Sequence, residues 1–118
     1  MTNEDRQAFA RSAFEKEPQY FPEERRASII AGVITLGMTP DEARLAGGAF
    51  AFEVKPDRRK WTADSDPYVV MRAQSVDPDD SLIWMIFNNP TQFAIGERSN
   101  FRVAFERGVA VRIEVLSQ

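Results

Sequence analysis

The sequence predicts an α+β domain, with N-terminal helices packed on one face of an antiparallel β-sheet of three to five strands. Three observations carry this. Apolar residues recur at helical spacing up to residue 47, the period drops to two from residue 49, and a Gly-centred hairpin closes the chain. With 118 residues and no interdomain linker, the economical reading is a single domain over 1–118. It divides into a helical extension (1–21), helices (22–47) and an antiparallel sheet (49–116).

Residues 4–17 read as a helix, because Phe9, Ala10, Ala13 and Phe14 form one apolar stripe and Pro18 ends it. A second helix starts at Pro22, with Glu23 and Glu24 near its positive end. Ile29, Ile30, Val33 and Ile34 carry it to about Leu36, with Gly32 inside it and Gly37 as its stop. Thr39-Pro40-Asp41-Glu42 is a capping box, and Gly47-Gly48 closes the short helix it starts.

Phe50, Phe52 and Val54 alternate with Ala51, Glu53 and Lys55, the pattern of a half-buried strand. Tyr68–Val76 reads as a second strand, followed by an Asp77-Pro78-Asp79-Asp80 turn. Leu82–Phe87 is apolar without alternation and belongs in the centre of the sheet. Residues 88–99 are long for a connection, which suggests a role beyond linking strands. In the last hairpin, Glu106-Arg107-Gly108 fits a three-residue loop with Gly in the left-handed position, a register that sets Arg102 opposite Arg112.

Composition narrows the chemistry. There is no cysteine and no histidine, which excludes disulfides, thiol nucleophiles, Ser-His-Asp triads and the common zinc sites. A formal charge of −3 argues against a general nucleic-acid binder, since phosphate contacts need a positive surface. The longest apolar run, around Leu82–Phe87, is far too short to span a membrane. With Met1 as the native start the protein is expected in the cytoplasm; removal of a leader would place it in the periplasm or cell envelope.

Catalytic and metal-ligating residues are not assigned. Glu53 and Glu114 are strand carboxylates in the polar phase of their alternation, and Lys55 and Tyr68 have no partner constellation. Asp64, Asp66, Asp77, Asp79 and Asp80 fit turn chemistry and lack calcium-loop spacing. No cofactor is expected. The candidate partner-binding residues are the basic run Arg58, Arg59, Lys60 with Trp61, and the apolar Phe93 and Ile95 of the long connection.

The run Ile34-Thr-Leu-Gly37-Met38-Thr39-Pro-Asp-Glu42-Ala-Arg-Leu45-Ala-Gly47, the Trp61 segment and the closing Phe101–Ile113 hairpin together resemble the BamE-like (SmpA/OmlA) small lipoprotein family. The resemblance implies two helices on a three-stranded antiparallel sheet, as in β-lactamase-inhibitor-like domains, and a bacterial, non-catalytic module that binds a protein partner. The chain departs from the family in lacking the lipidated cysteine and in its extra N-terminal helix. A second reading takes Phe50, Phe52, Trp61, Tyr68, Trp84 and Phe87 as the lining of an aromatic pocket in an NTF2-like or cystatin-like domain that binds, or acts on, a small molecule.

Overall fold

The computed structural model describes residues 3–48, 50–55, 66–78, 82–93 and 100–116. Its elements run α1 (Asn3–Lys16), α2 (Glu23–Ala31), α3 (Pro40–Gly47), β1 (Phe50–Lys55), α4 (Pro67–Val76), β2 (Leu82–Asn88), β3 (Asn100–Glu106) and β4 (Val109–Val115). A 3₁₀ turn over Pro18–Tyr20 joins α1 to α2. The four strands pair antiparallel in chain order, β1-β2-β3-β4, and α4 forms the connection between the first two.

One face of the sheet carries the core. Ile83, Met85, Phe87, Phe101, Val103 and Phe105 bury against Ala10, Phe14, Ile29, Met38, Leu45, Val70 and Met71 of the helical layer. Phe87 and Phe101 stack at 5.3 Å between ring centroids. Gly47 sits where no side chain fits, since a Cβ there would lie 2.4 Å from Phe87. The α+β class therefore holds, with the central position of Leu82–Phe87.

The α3 start is as local chemistry predicts. Thr39 Oγ1 accepts from the Glu42 N–H at 3.2 Å, and Glu42 Oε1 accepts from the Thr39 N–H at 3.0 Å. Three other expectations need correction.

The second helix stops at Ala31 rather than near Leu36. Gly32 adopts φ +78° and ends it, with the Val33 N–H reaching back to the Ser28 carbonyl at 2.9 Å. Neighbours hold the break. Asn89 Nδ2 and Thr91 Oγ1 each donate to the Gly32 carbonyl at 2.8 Å, and Gln92 pairs with both backbone groups of Ile34.

The stretch Tyr68–Val76 is not a strand. Asp66 Oδ1 accepts from the Tyr68 N–H at 3.0 Å, Pro67 takes the first turn, and a ten-residue helix follows. Val70, Met71 and Gln74 face inward at helical spacing. The β-branched and aromatic content suggested a strand, but the cap and the core contacts outweigh that preference.

The last hairpin has a two-residue loop. Arg107 and Gly108 both take positive φ (+51° and +77°), Glu106 pairs with Val109, and a bulge at Val111 restores the inward alternation. Arg102 consequently faces Glu114, not Arg112, and its Nε donates to Glu114 Oε2 at 2.6 Å.

Candidate functional site

The N-terminal helix does not bury its whole apolar stripe. Ala10 and Phe14 enter the core together with Arg6, whereas Phe9 is half exposed at the edge of the layer. Arg6 is buried because it serves two helix ends. Its Nη1 donates to the carbonyls of Ile29 (2.7 Å) and Leu45 (3.1 Å), and its Nη2 to that of Ile30 (2.9 Å). These oxygens lie in the last turns of α2 and α3, where the helix dipole favours a cation. Burial lowers the Arg6 pKa from its ordinary value.

Above Arg6, a cleft of about 500 Å³ opens between α1, α3 and the starts of β1 and α4, lined by Arg6, Phe9, Arg44, Leu45, Gly48, Phe50 and Tyr68. Its walls are mainly apolar. The Arg44 guanidinium lies 5.5 Å from the Phe9 ring centroid and 5.6 Å from that of Tyr68, held between two π faces. Phe50 meets Tyr68 edge to face at 5.9 Å.

Below the cleft, charges tie the helices together. Arg72 grips both carboxylate oxygens of Glu17, at 2.7 and 2.9 Å, and brings its Nε to 3.1 Å from Asp41 Oδ2. Arg25 Nε donates to the fully buried Glu42 at 2.6 Å. Burial pushes the Asp41 carboxyl above its usual value, against the pull of Arg72 and Arg44. The hydrogen bonds from Arg72 hold Glu17 below the usual range.

A second surface adjoins the cleft at Tyr68. The outward side of α4 presents Tyr68 (59% exposed), Val69 (55%) and Val76 (49%), with Arg72 and Ala73 between them. Sequence reasoning missed this surface because it took the segment for a strand. The signal was present: positions 68, 69, 72, 73 and 76 repeat at i, i+1, i+4, i+5 and i+8 behind an Asp-Pro helix start.

The outer face of the sheet carries a third cluster. Arg102 stacks on the Trp84 ring at 4.2 Å and Arg112 at 5.2 Å, while Glu114 bridges the two arginines. Each cation there already has a carboxylate and a ring, so the cluster reads as a braced sheet surface.

Of the residues singled out in the sequence, Arg58, Arg59, Lys60, Trp61 and Ile95 lie outside the described residues. Phe93 is half-buried and meets Phe101 edge to face at 5.4 Å. Glu53 on β1 and Glu114 on β4 are three strand spacings apart, roughly 14 Å, too far to act as a pair. The proposed aromatic lining is divided. Phe50 and Tyr68 border the cleft, Phe87 is in the core, and Trp84 lies on the opposite face of the sheet. Among the described residues no group of three Asp or Glu is arranged to hold a metal ion, and no helix is long and apolar enough to cross a membrane.

Comparison with protein-family models, curated proteins and solved structures finds no match to this chain.

Proposed function

We propose that the protein is a non-catalytic interaction module that docks an amphipathic helix of a partner protein along the outward side of α4. The observation that carries this is that α4 is apolar on both sides. Val70 and Met71 fill the core, while Tyr68, Val69 and Val76 stand on the outer surface, where an unpartnered helix carries polar residues.

The spacing of the stripe suits ridge-into-groove packing of a second helix. Arg72 lies within the stripe but is already held by Glu17, Asp41 and the Tyr20 ring, so the surface offers a partner apolar area rather than charge. The resemblance of Ile34–Gly47 and Phe101–Ile113 to BamE-like domains supports an interaction role of this kind.

The test is a comparison of the wild-type protein with Val69→Asp/Val76→Asp as immobilised baits, and with Arg112→Ser as a control distant from α4. An identified helical partner is expected to bind wild type and control alike and to bind the α4 variant at least about tenfold more weakly. Equal binding to all three overturns the reading. Self-association of the purified chain that the α4 variant abolishes also overturns it, in favour of a homodimer.

A further inference from the structure

We propose that the cleft over Arg6 is a receptor for an aromatic carboxylate, a planar ring carrying a carboxyl group, with Arg44 as its anion anchor. The site shares only Tyr68 with the α4 stripe, and the inference stands without the docking reading.

Arg44 lines the cleft. Its guanidinium is fixed between Phe9 and Tyr68, yet its buried Nε donates no hydrogen bond among the described residues. The carboxylate oxygen facing it, Asp41 Oδ1, is 3.9 Å away, beyond hydrogen-bonding range, and the other oxygen of Asp41 lies 3.1 Å from Arg72. That Nε is closed off from the cleft, so an entering anion is met by the terminal Nη groups of a guanidinium that the two rings already hold in place.

The neighbouring cation cannot compete. Arg6 spends its guanidinium on three main-chain carbonyls, so it closes the base of the cleft and leaves anion recognition to Arg44. A single planar guanidinium matches a carboxylate, which accepts two parallel hydrogen bonds. A phosphate dianion would need further donors, and the remaining walls are apolar. Phe9, Leu45, Phe50 and Tyr68 instead provide the surfaces on which an aromatic ring rests, edge or face. A volume of about 500 Å³ holds a ring, a short linker and a carboxylate.

The same chemistry has two sources, a free aromatic acid or the C-terminal aromatic residue of a peptide. Amide-resolved NMR titration of the full chain with 3-phenylpropionate, 3-phenylpropionamide and N-acetylphenylalanine separates them. The acid is expected to bind at least about tenfold more tightly than its amide and to shift the Gly48 amide and the Arg44 Nε–H signals. Tighter binding of N-acetylphenylalanine assigns the site to a peptide C-terminus, and tighter binding of 3-phenylpropionate to a free acid.

Arg44→Gln should erase the preference for acid over amide. Tyr68→Ser, at a largely exposed position that does not threaten folding, should weaken acid and amide alike. Val69→Asp/Val76→Asp should leave both unchanged, which keeps the cleft distinct from the α4 surface. Equal affinity for acid and amide, shifts confined to residues outside the cleft, or no binding by any probe overturns the proposal.

Discussion

Arg72 Nε lies 3.1 Å from Asp41 Oδ2, joining α4 to the buried first turn of α3. The contact is a balance of opposed effects. Burial favours neutral Asp41, whereas Arg72 and, less strongly, Arg44 favour the carboxylate, and burial prevails. A folded-state pKa above the unfolded one means the native state holds the proton more tightly. Stability from Asp41 is thus present below the ordinary carboxylate pKa and is lost as pH rises through the raised value. Glu17 has the opposite sign, its contribution being present above the ordinary value and lost as pH falls through the lowered one.

Asp41→Asn is therefore expected to melt higher than wild type at neutral pH, with the gap closing on acidification to about pH 4. Glu17→Gln should melt lower at neutral pH and converge with wild type in acid. Thermal melts of the three proteins from neutral pH to about pH 2 check both, since the Glu17 contribution is lost only below the ordinary carboxylate range. A neutral-pH loss of stability in Asp41→Asn would show that the attraction of Arg72 outweighs burial.

Arg6→Met removes a charged donor from three helix-terminal carbonyls, of which Ile29 keeps the Gly32 N–H and Ile30 keeps Gln7 Nε2. A cost of about 3 kcal/mol is expected, since buried acceptors lose a charged partner. Arg6→Lys should recover only part of it, because an ammonium cannot span two helix ends with a planar fork. Urea denaturation curves with unchanged slopes supply the measurement.

The capping box offers a graded test. Thr39→Ala should cost about 1 kcal/mol, a drop of about 4 °C in Tm for a domain of this size. Glu42→Ala should cost more, about 2–3 kcal/mol, because it also strands Arg25. The Arg25 side chain is part-exposed, which holds the figure below that of a fully buried pair. An equal effect of the two substitutions would mean that the Arg25 contact contributes nothing.

Gly32 and Thr91 should not behave additively. A Cβ at Gly32 would sit 2.2 Å from Thr91 Oγ1, and φ +78° adds about 1–2 kcal/mol of backbone strain. Gly32→Ala is expected to cost at least about 2 kcal/mol. Thr91→Ala loses a hydrogen bond but removes the obstructing oxygen, so the double variant should cost less than the sum. Strict additivity in that cycle would rule out the steric coupling.

Legibility followed the distance over which each feature is decided. The Thr39–Glu42 box spans four residues, and its partners are visible in the chain itself. The switch from helical to alternating periodicity announced the sheet, and the unbroken apolar run of Leu82–Phe87 placed it centrally. The Tyr68–Val76 helix was written locally as well, in Asp66-Pro67. Its β-branched residues spoke against it, and only the inward packing of Val70, Met71 and Gln74 settles the conflict.

The hairpin shows the opposite case. Turn chemistry alone favours keeping Arg107 out of the left-handed region, at a saving of roughly 1–2 kcal/mol. The fold accepts that strain because the loop is clasped from elsewhere. Gly108 lies where a Cβ would be 2.2 Å from the Gln74 carbonyl, and Ala110 exchanges main-chain hydrogen bonds with Gly37 and Met38 at 2.9 and 2.8 Å. With that register, Arg102 gains Glu114 as its partner.

The sequence by itself therefore determined the class, the starts of the first three helices, the central strand and the absence of imidazole and thiol chemistry, because each depends on residue type or on near neighbours along the chain. The tertiary structure decided the end of α2, the register of β4, and the meeting of Phe9, Arg44, Phe50 and Tyr68 around one cleft. Those four residues come from four different elements. No spacing along the chain encodes their proximity, which arises only when the helical layer packs on the sheet and leaves Phe9 outside the core.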